Sequence, residues 1–366
     1  HVLVLGELGT APEWASYYPG KPHSSYFDRF YQPRRMEDYA NYVRTVAQRY
    51  RGIITAYDIW NEPWIHAWWG VGYDESKPDQ AGYITSEEPQ KDFVRLMKTA
   101  FEAAKAVDPD ITVLGVNSTS SGPGSNNLGG AEWTRGVVEA GGLDFCDAVC
   151  YHQYIGGKPG YAGDVVERGY QTAIGPILER FGRLPKPVWM TEGSAGQDTV
   201  GPGFYNHTLP CPNKEDVAET GDRLCRYVVA LLGEGIARLF LYSMHAQASL
   251  DSAPRWSVLV TPEGYMHPSG AALAILTWHL EDTKFVERRE VAEGVFAYLF
   301  EAKDGSRSVA ALSGKTGHAP YILPRGDGLQ VIDLFGNPVE GGRPLGETLV
   351  YVTALSPASH LGPMLR

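Results

Sequence analysis

Short apolar runs alternate along the first part of the chain with longer stretches whose apolar residues recur every three or four positions. The short runs are Val2–Leu8, Ile53–Trp60, Ile111–Asn117, Asp147–Tyr154, Pro187–Glu192 and Arg238–His245. Helical spacing is kept by Met36, Tyr39, Ala40, Val43, Val46, Ala47 and Tyr50. It is kept again by Phe93, Leu96, Met97, Ala100, Phe101 and Ala104, a pattern closed by Asp108-Pro109. Further helices are predicted over 131–140, 165–182, 216–233 and 269–280. Repeated strand–helix units place parallel strands beneath covering helices, which is an α/β fold.

The polar and aromatic residues gather at the carboxyl ends of these strands: Glu62, Asn117, His152, Tyr154, Glu192 and His245. Decoration at one end predicts a (β/α)8 TIM barrel, whose active site is built on that face. A doubly wound sheet would usually bring a Gly-rich phosphate loop, and neither GxGxxG nor a Walker sequence is present. Six units are visible where a barrel has eight, and the shortfall is placed before the first run. The expectation is therefore a barrel entered at its third strand, the first units lying on a separate polypeptide or on a longer chain. Such an open edge invites pairing, with a partner or with another copy in a homo-oligomer. After residue 282 the period becomes that of strands: Phe285–Val291, Val295–Ala302, Ser308–Leu312, Leu329–Leu334 and Thr348–Thr353. The reading is a barrel domain over 1–282 and a small accessory β-sandwich over 283–366.

Composition narrows the class of ligand. A formal net charge of −11 argues against nucleic acid and anionic membrane surfaces, and suits a neutral ligand such as carbohydrate. No apolar run is long enough to span a bilayer. Cys146 and Cys150, four apart in an apparent strand, stand roughly 13 Å from each other at strand rise, too far to bridge. Cys211 and Cys225 are a possible pair, and none of the four has paired zinc-ligand spacing. No metal and no cofactor are expected. The sequons at Asn117 and Asn206 matter only in a eukaryotic secretory pathway. The chain opens at His1 inside a strand-like run, so no compartment is assigned.

The chemistry concentrates in Tyr57-Asp58-Ile59-Trp60-Asn61-Glu62-Pro63-Trp64. Pro63 cannot donate to a sheet ladder, so pairing should stop there and leave Asn61 and Glu62 at a strand end among aromatics. A second carboxylate, Glu192, closes Val188-Trp189-Met190-Thr191, with Gly193 able to turn sharply behind it. Two such acids facing each other across a barrel mouth can cleave a glycosidic bond. A separation of roughly 5–5.5 Å gives retention through a covalent intermediate, and a wider gap gives inversion. The bland alternative for Glu62 is a solvated loop residue that caps the next helix.

Trp60-Asn61-Glu62-Pro63 followed by Thr191-Glu192 resembles the retaining glycoside hydrolases of clan A, particularly families 39 and 5. Pro12-Glu13-Trp14-Ala15-Ser16, Arg49-Tyr50, His152-Gln153-Tyr154 and the turn Asp333–Pro338 fit the same pattern. The resemblance implies Glu62 as general acid/base, Glu192 as nucleophile, and Asn61 on the sugar 2-hydroxyl. It implies that Tyr154 holds Glu192, with a core tyrosine as the competing reading, and that His152 contacts substrate or supports Tyr154. Trp14, His66, Trp68, Trp69 and Trp256 are candidates for a sugar-binding wall, though aromatics in loops are as often core. Glu7 is read as a salt-bridge partner. Where clan members carry Trp at the eighth strand end, this chain has Tyr242-Ser243-Met244-His245. Two alternatives stay open. One is a metal-dependent hydrolase using His66, His152 and His245; the other is a weak or inactive carbohydrate-binding subunit that needs a partner chain. The sugar, its linkage and exo or endo action are not written in the sequence.

Overall fold

The computed structural model describes residues 3–16, 29–65, 68–70, 88–123, 128–155, 169–181, 186–195, 214–242, 244, 259–260, 266–315 and 317–365. Two compact units are formed, His1–Gln153 with Gly169–Thr191, and Tyr154–Arg168 with Glu192–Arg366.

In the first unit, β1 (Leu5–Leu8), β2 (Ala56–Ile59), β3 (Thr112–Thr119), β4 (Ala148–Ile155) and the start of β5 (Val188–Ala195) lie side by side in chain order. The registers are parallel, with Leu5 opposite Ala56, Ala56 opposite Thr112 and Leu114 opposite Ala148. All four residues of β2 are buried, as a parallel strand covered on both faces requires. Helix α1 (Met36–Arg49) turns Tyr39, Ala40, Val43 and Ala47 inward, and the Tyr39 hydroxyl donates to the Leu8 carbonyl at 2.6 Å. Helix α2 (Pro89–Val107) starts on a proline whose missing N–H costs nothing at the first turn, and it buries Phe93, Leu96, Met97 and Ala100. Helix α3 (Gly130–Glu139) begins so close to β3 that a Cβ on Gly130 would sit 1.4 Å from the Thr119 carbonyl oxygen. Only glycine fits there.

The predicted helix over 165–182 is described from Gly169 on. It opens with a π turn, Tyr170–Ile174, and continues as α4 (Gly175–Phe181). The cause is local: Gly175 N–H reaches back to the Tyr170 carbonyl, and Pro176, next in line, has no N–H to restore α spacing.

In the second unit β5 continues through Glu192 to Ala195, where Tyr242 N–H donates to the Gly193 carbonyl at 2.9 Å. Glu192 therefore lies inside a strand rather than ending it, because Gly193 keeps a ladder bond instead of turning. Strand β6 (Arg238–Leu239) is shorter than the predicted run, and His245 lies outside the described residues. Helices α5 (Lys214–Gly233) and α6 (Pro268–Leu280) flank it in sequence. The six strands β1–β6 make one parallel sheet, a partial TIM barrel.

A five-stranded antiparallel sheet follows, forming the β-sandwich part, in the order β10-β11-β9-β8-β7. Its strands are β7 (Thr283–Ala292), β8 (Val295–Ala302), β9 (Ser308–Gly314), β10 (Leu329–Ile332) and β11 (Val350–Ala354). Val295, Ala297, Leu299, Ala310, Leu312, Val350 and Val352 build its core. A last helix, α7 (Ala358–Met364), which the pattern did not announce, packs Leu361 into that core. The turn at Asp333 is fixed by its own carboxylate, which accepts from Phe335 N–H at 2.9 Å and Asn337 N–H at 2.8 Å.

Candidate active site at the strand ends

The backbone leaves β2 by an unusual path. Trp60 has φ 69° and Glu62 φ 40°, left-handed conformations that cost non-glycine residues of order 1–3 kcal/mol each. Neighbouring β3 does the same at Val116 (φ 69°) and Asn117 (φ 51°), where its pairing with β4 shifts register between Gly115 and Ser118. Buried side chains hold both bends. Asn117 Nδ2 donates to the Ile59 carbonyl at 2.7 Å, satisfying the last acceptor of β2 as the chain departs. Trp133 Nε1 donates to the Val116 carbonyl at 2.9 Å, and Trp60 Nε1 to the Trp68 carbonyl at 2.6 Å.

This path presents Glu62 to His152, with Glu62 Oε1 and His152 Nδ1 3.0 Å apart and both side chains largely buried. When the carboxylate is ionised the ring donates; when it is protonated the ring accepts, so the pair can hold a proton in either position. The buried Trp64 ring stands edge-on to the imidazole at 5.4 Å, fixing its plane. His152 thus contacts Glu62, a partner that the sequence did not announce. Its neighbour Gln153 faces away and accepts from the Tyr151 hydroxyl at 2.6 Å.

Beneath them Asp58 is buried, and burial pushes its carboxyl above the usual carboxylate range. Its Oδ1 has no hydrogen-bond partner. Cys150 Sγ lies 2.8 Å from the Thr191 hydroxyl and 3.4 Å from Asn117 Oδ1. Asp58, Cys150 and His152 bring ligand atoms within 4.8 Å of one another, so these three are a residue set able to hold a metal ion.

In the second unit the Tyr154 hydroxyl donates to Glu192 Oε1 at 2.6 Å. The contact that the resemblance implied is present, on a half-buried tyrosine. A donor aimed at a carboxylate favours its ionised form.

The aromatic candidates separate. Trp14 exposes 73% of its surface. Trp68 is half-buried and stacks on Phe30 at 5.4 Å. Trp69 is a correction: it is wholly buried, edge-on to Trp60 and Phe93, with Nε1 donating to the Pro89 carbonyl at 3.1 Å. Asn61 is half-buried beside Glu62, and Glu7 is exposed on β1. His66 and Trp256 lie outside the described residues. Cys225 is a free buried thiol, and Cys211 lies outside the described residues. The sequence reading missed Asn117 and Trp133 as braces, and no spacing rule would have flagged them.

The fold is that of the clan A glycoside hydrolases, a likeness of architecture at low sequence identity. Among solved structures, a family 39 glycoside hydrolase from Bacteroides cellulosilyticus WH2 superposes with a TM-score of 0.55 at 19% identity, over 88% of this chain and 63% of that one. A GH30 endoxylanase from Clostridium papyrosolvens C71 matches with a TM-score of 0.55 at 12% identity, over 97% and 80%. A glucosidase from Croceicoccus marinus gives 0.53 at 13% identity, over 88% and 75%. The chain thus spans less than two thirds of the Bacteroides protein's length. No family profile and no curated protein matches the sequence.

Proposed function

We propose that the protein is a retaining glycosidase acting on β-linked glycosides or polysaccharides. Glu192 attacks the anomeric carbon while Glu62 gives its proton to the departing glycosidic oxygen. Water then opens the glycosyl ester, losing its proton to Glu62 and regenerating both groups. Asn61 is assigned to the sugar 2-hydroxyl, and Trp14 and Trp68 to stacking against sugar rings.

One observation carries this reading. His152 and Tyr154 both belong to β4. One of them touches Glu62 and the other Glu192. Each acid thus has its own partner within its own unit, an imidazole that can exchange a proton with Glu62 and a phenolic hydroxyl that donates to Glu192, which suits an acid/base and a nucleophile respectively. The fold likeness to glycoside hydrolases supports the same assignment at the level of architecture.

The test is separate Glu62→Gln and Glu192→Gln replacement in the full polypeptide, assayed on activated aryl β-glycosides. Both should lose most turnover, by about 100-fold or more for the acid/base position. Equal hydrolysis by wild type and both variants defeats the assignment. Sugar binding without turnover in the wild type favours a carbohydrate-binding subunit instead.

A further inference from the structure

Strands of a parallel sheet covered on both faces are ordinarily apolar, yet β2 and β4 carry three side chains of another kind into the interior of the first unit. Asp58 is 5% exposed, Cys150 0% and His152 3%. Cys150 and His152 stand two apart on β4 and so project from one face, where Asp58 meets them. One ligand atom from each lies within 4.8 Å of those of the other two. A tetrahedral zinc ion spaces its donor atoms by roughly 3.3–3.6 Å, given bonds of about 2.0–2.3 Å, so the three need only a small inward closure. The Asp58 carboxyl is approached by the Cys150 thiol and the Thr191 hydroxyl, yet Asp58 Oδ1 keeps no hydrogen-bond partner. Buried acceptors are nearly always satisfied, and a cation satisfies a carboxylate oxygen that no donor reaches.

We propose that Asp58, Cys150 and His152 form a binding site for zinc or a zinc-like divalent cation, whose occupation stops Glu62 from acting as an acid. The donor set selects the ion. Sulfur with imidazole and one carboxylate suits zinc or cobalt, whereas magnesium and calcium take oxygen ligands. Binding expels the Cys150 thiol proton, and any proton on Asp58, to solvent. The thiolate and the carboxylate then cancel the two charges of the ion, as a buried site requires. The Thr191 hydroxyl, 2.8 Å from Cys150 Sγ, can donate to the thiolate so formed. All four residues belong to the first unit.

The effect on the chemistry passes through His152, whose Nδ1 stands 3.0 Å from Glu62 Oε1. An ion on that nitrogen displaces Glu62 from the ring. An ion on the other nitrogen fixes the Nδ1 proton and holds Glu62 ionised. Either way Glu62 no longer delivers a proton. The inhibition rests on the role proposed for Glu62, whereas the binding does not.

The experiment takes the full polypeptide, stripped with a chelator, and titrates it with Co2+ and separately with Zn2+. Cobalt should give a thiolate charge-transfer absorption. Cys150→Ser should lose that band, and Asp58→Asn should need about tenfold more ion to reach it. Zinc should slow alkylation of Cys150 by about tenfold and leave Cys146 and Cys225 unchanged. Peptide mapping reads this on the unsubstituted chain, so it holds even where a variant fails to fold. Zinc should also cut hydrolysis of a β-glycoside with a poor leaving group by about tenfold or more, reversibly by chelator, in wild type but not in Cys150→Ser. A missing band, a band that survives in Cys150→Ser, or Cys150 alkylation indifferent to zinc overturns the site. Binding through Cys150 with undiminished hydrolysis overturns the inhibition. Binding through Cys150 in a protein that hydrolyses no glycoside upholds the site and counts against the acid/base role of Glu62.

Discussion

Tyr154→Phe removes one oxygen and leaves the ring in place, which isolates the 2.6 Å bond to Glu192 Oε1. Hydrogen bonds to charged groups contribute about 1.5–3 kcal/mol, and half-burial of both partners argues for the lower end. At about 1.4 kcal/mol per factor of ten, a loss of about 1.5 kcal/mol corresponds to about a tenfold fall in kcat/KM if Glu192 is the attacking group. The assay is kcat/KM on an aryl β-glycoside for wild type and variant, with Tm measured alongside. Equal kcat/KM, or a fall matched by a fall in Tm, refutes the reasoning, since a merely structural tyrosine would act through the fold.

Three further outcomes follow from the structure. His152→Ala should slow substrates with poor leaving groups by about 100-fold and activated aryl glycosides far less, because His152 contacts Glu62, the proposed proton donor; an equal drop on both contradicts that role. Asp58→Asn should match wild-type stability at low pH and exceed it as pH rises. A carboxyl raised by burial binds its proton more tightly folded than unfolded, so native stability declines as pH climbs from its unfolded pKa through the folded one; parallel stability–pH curves for the two proteins count against this. Trp69→Ala should cost about 3–5 kcal/mol through the cavity it leaves, whereas Trp14→Ala should leave Tm unchanged and raise KM; the reverse pattern would exchange core and platform.

The strands and helices were legible because parallel strands buried on both faces read as continuous apolar runs, and helices as 3.6-residue periods. Val295–Ala302 was read to its boundaries, since Gly294 and the Asp304-Gly305 turn bracket it. Pro176 hid the π turn, because a missing N–H acts on hydrogen bonding without altering the apolar period. Glu62 and Glu192 stood out by motif, and Tyr154 by resemblance. His152's attachment to Glu62 did not, because it depends on left-handed turns at Trp60 and Glu62 that no propensity favours. The departure from β2 is held by Asn117 on the Ile59 carbonyl and the neighbouring β3 bend by Trp133 on the Val116 carbonyl, contacts that exist only in three dimensions. Trp69 misled for a related reason: a tryptophan in a loop can as well be the plug that fastens the loop to α2.

The proposed mechanism passes through a covalent glycosyl ester on Glu192. Incubation with an activated 2-deoxy-2-fluoro glycoside, followed by peptide mapping, tests it most directly. One added fluoroglycosyl mass is expected on the peptide containing Glu192, retained in Glu62→Gln and abolished in Glu192→Gln. A label on another residue, or no label from an enzyme that turns over the parent glycoside with inverted anomeric configuration, would contradict it.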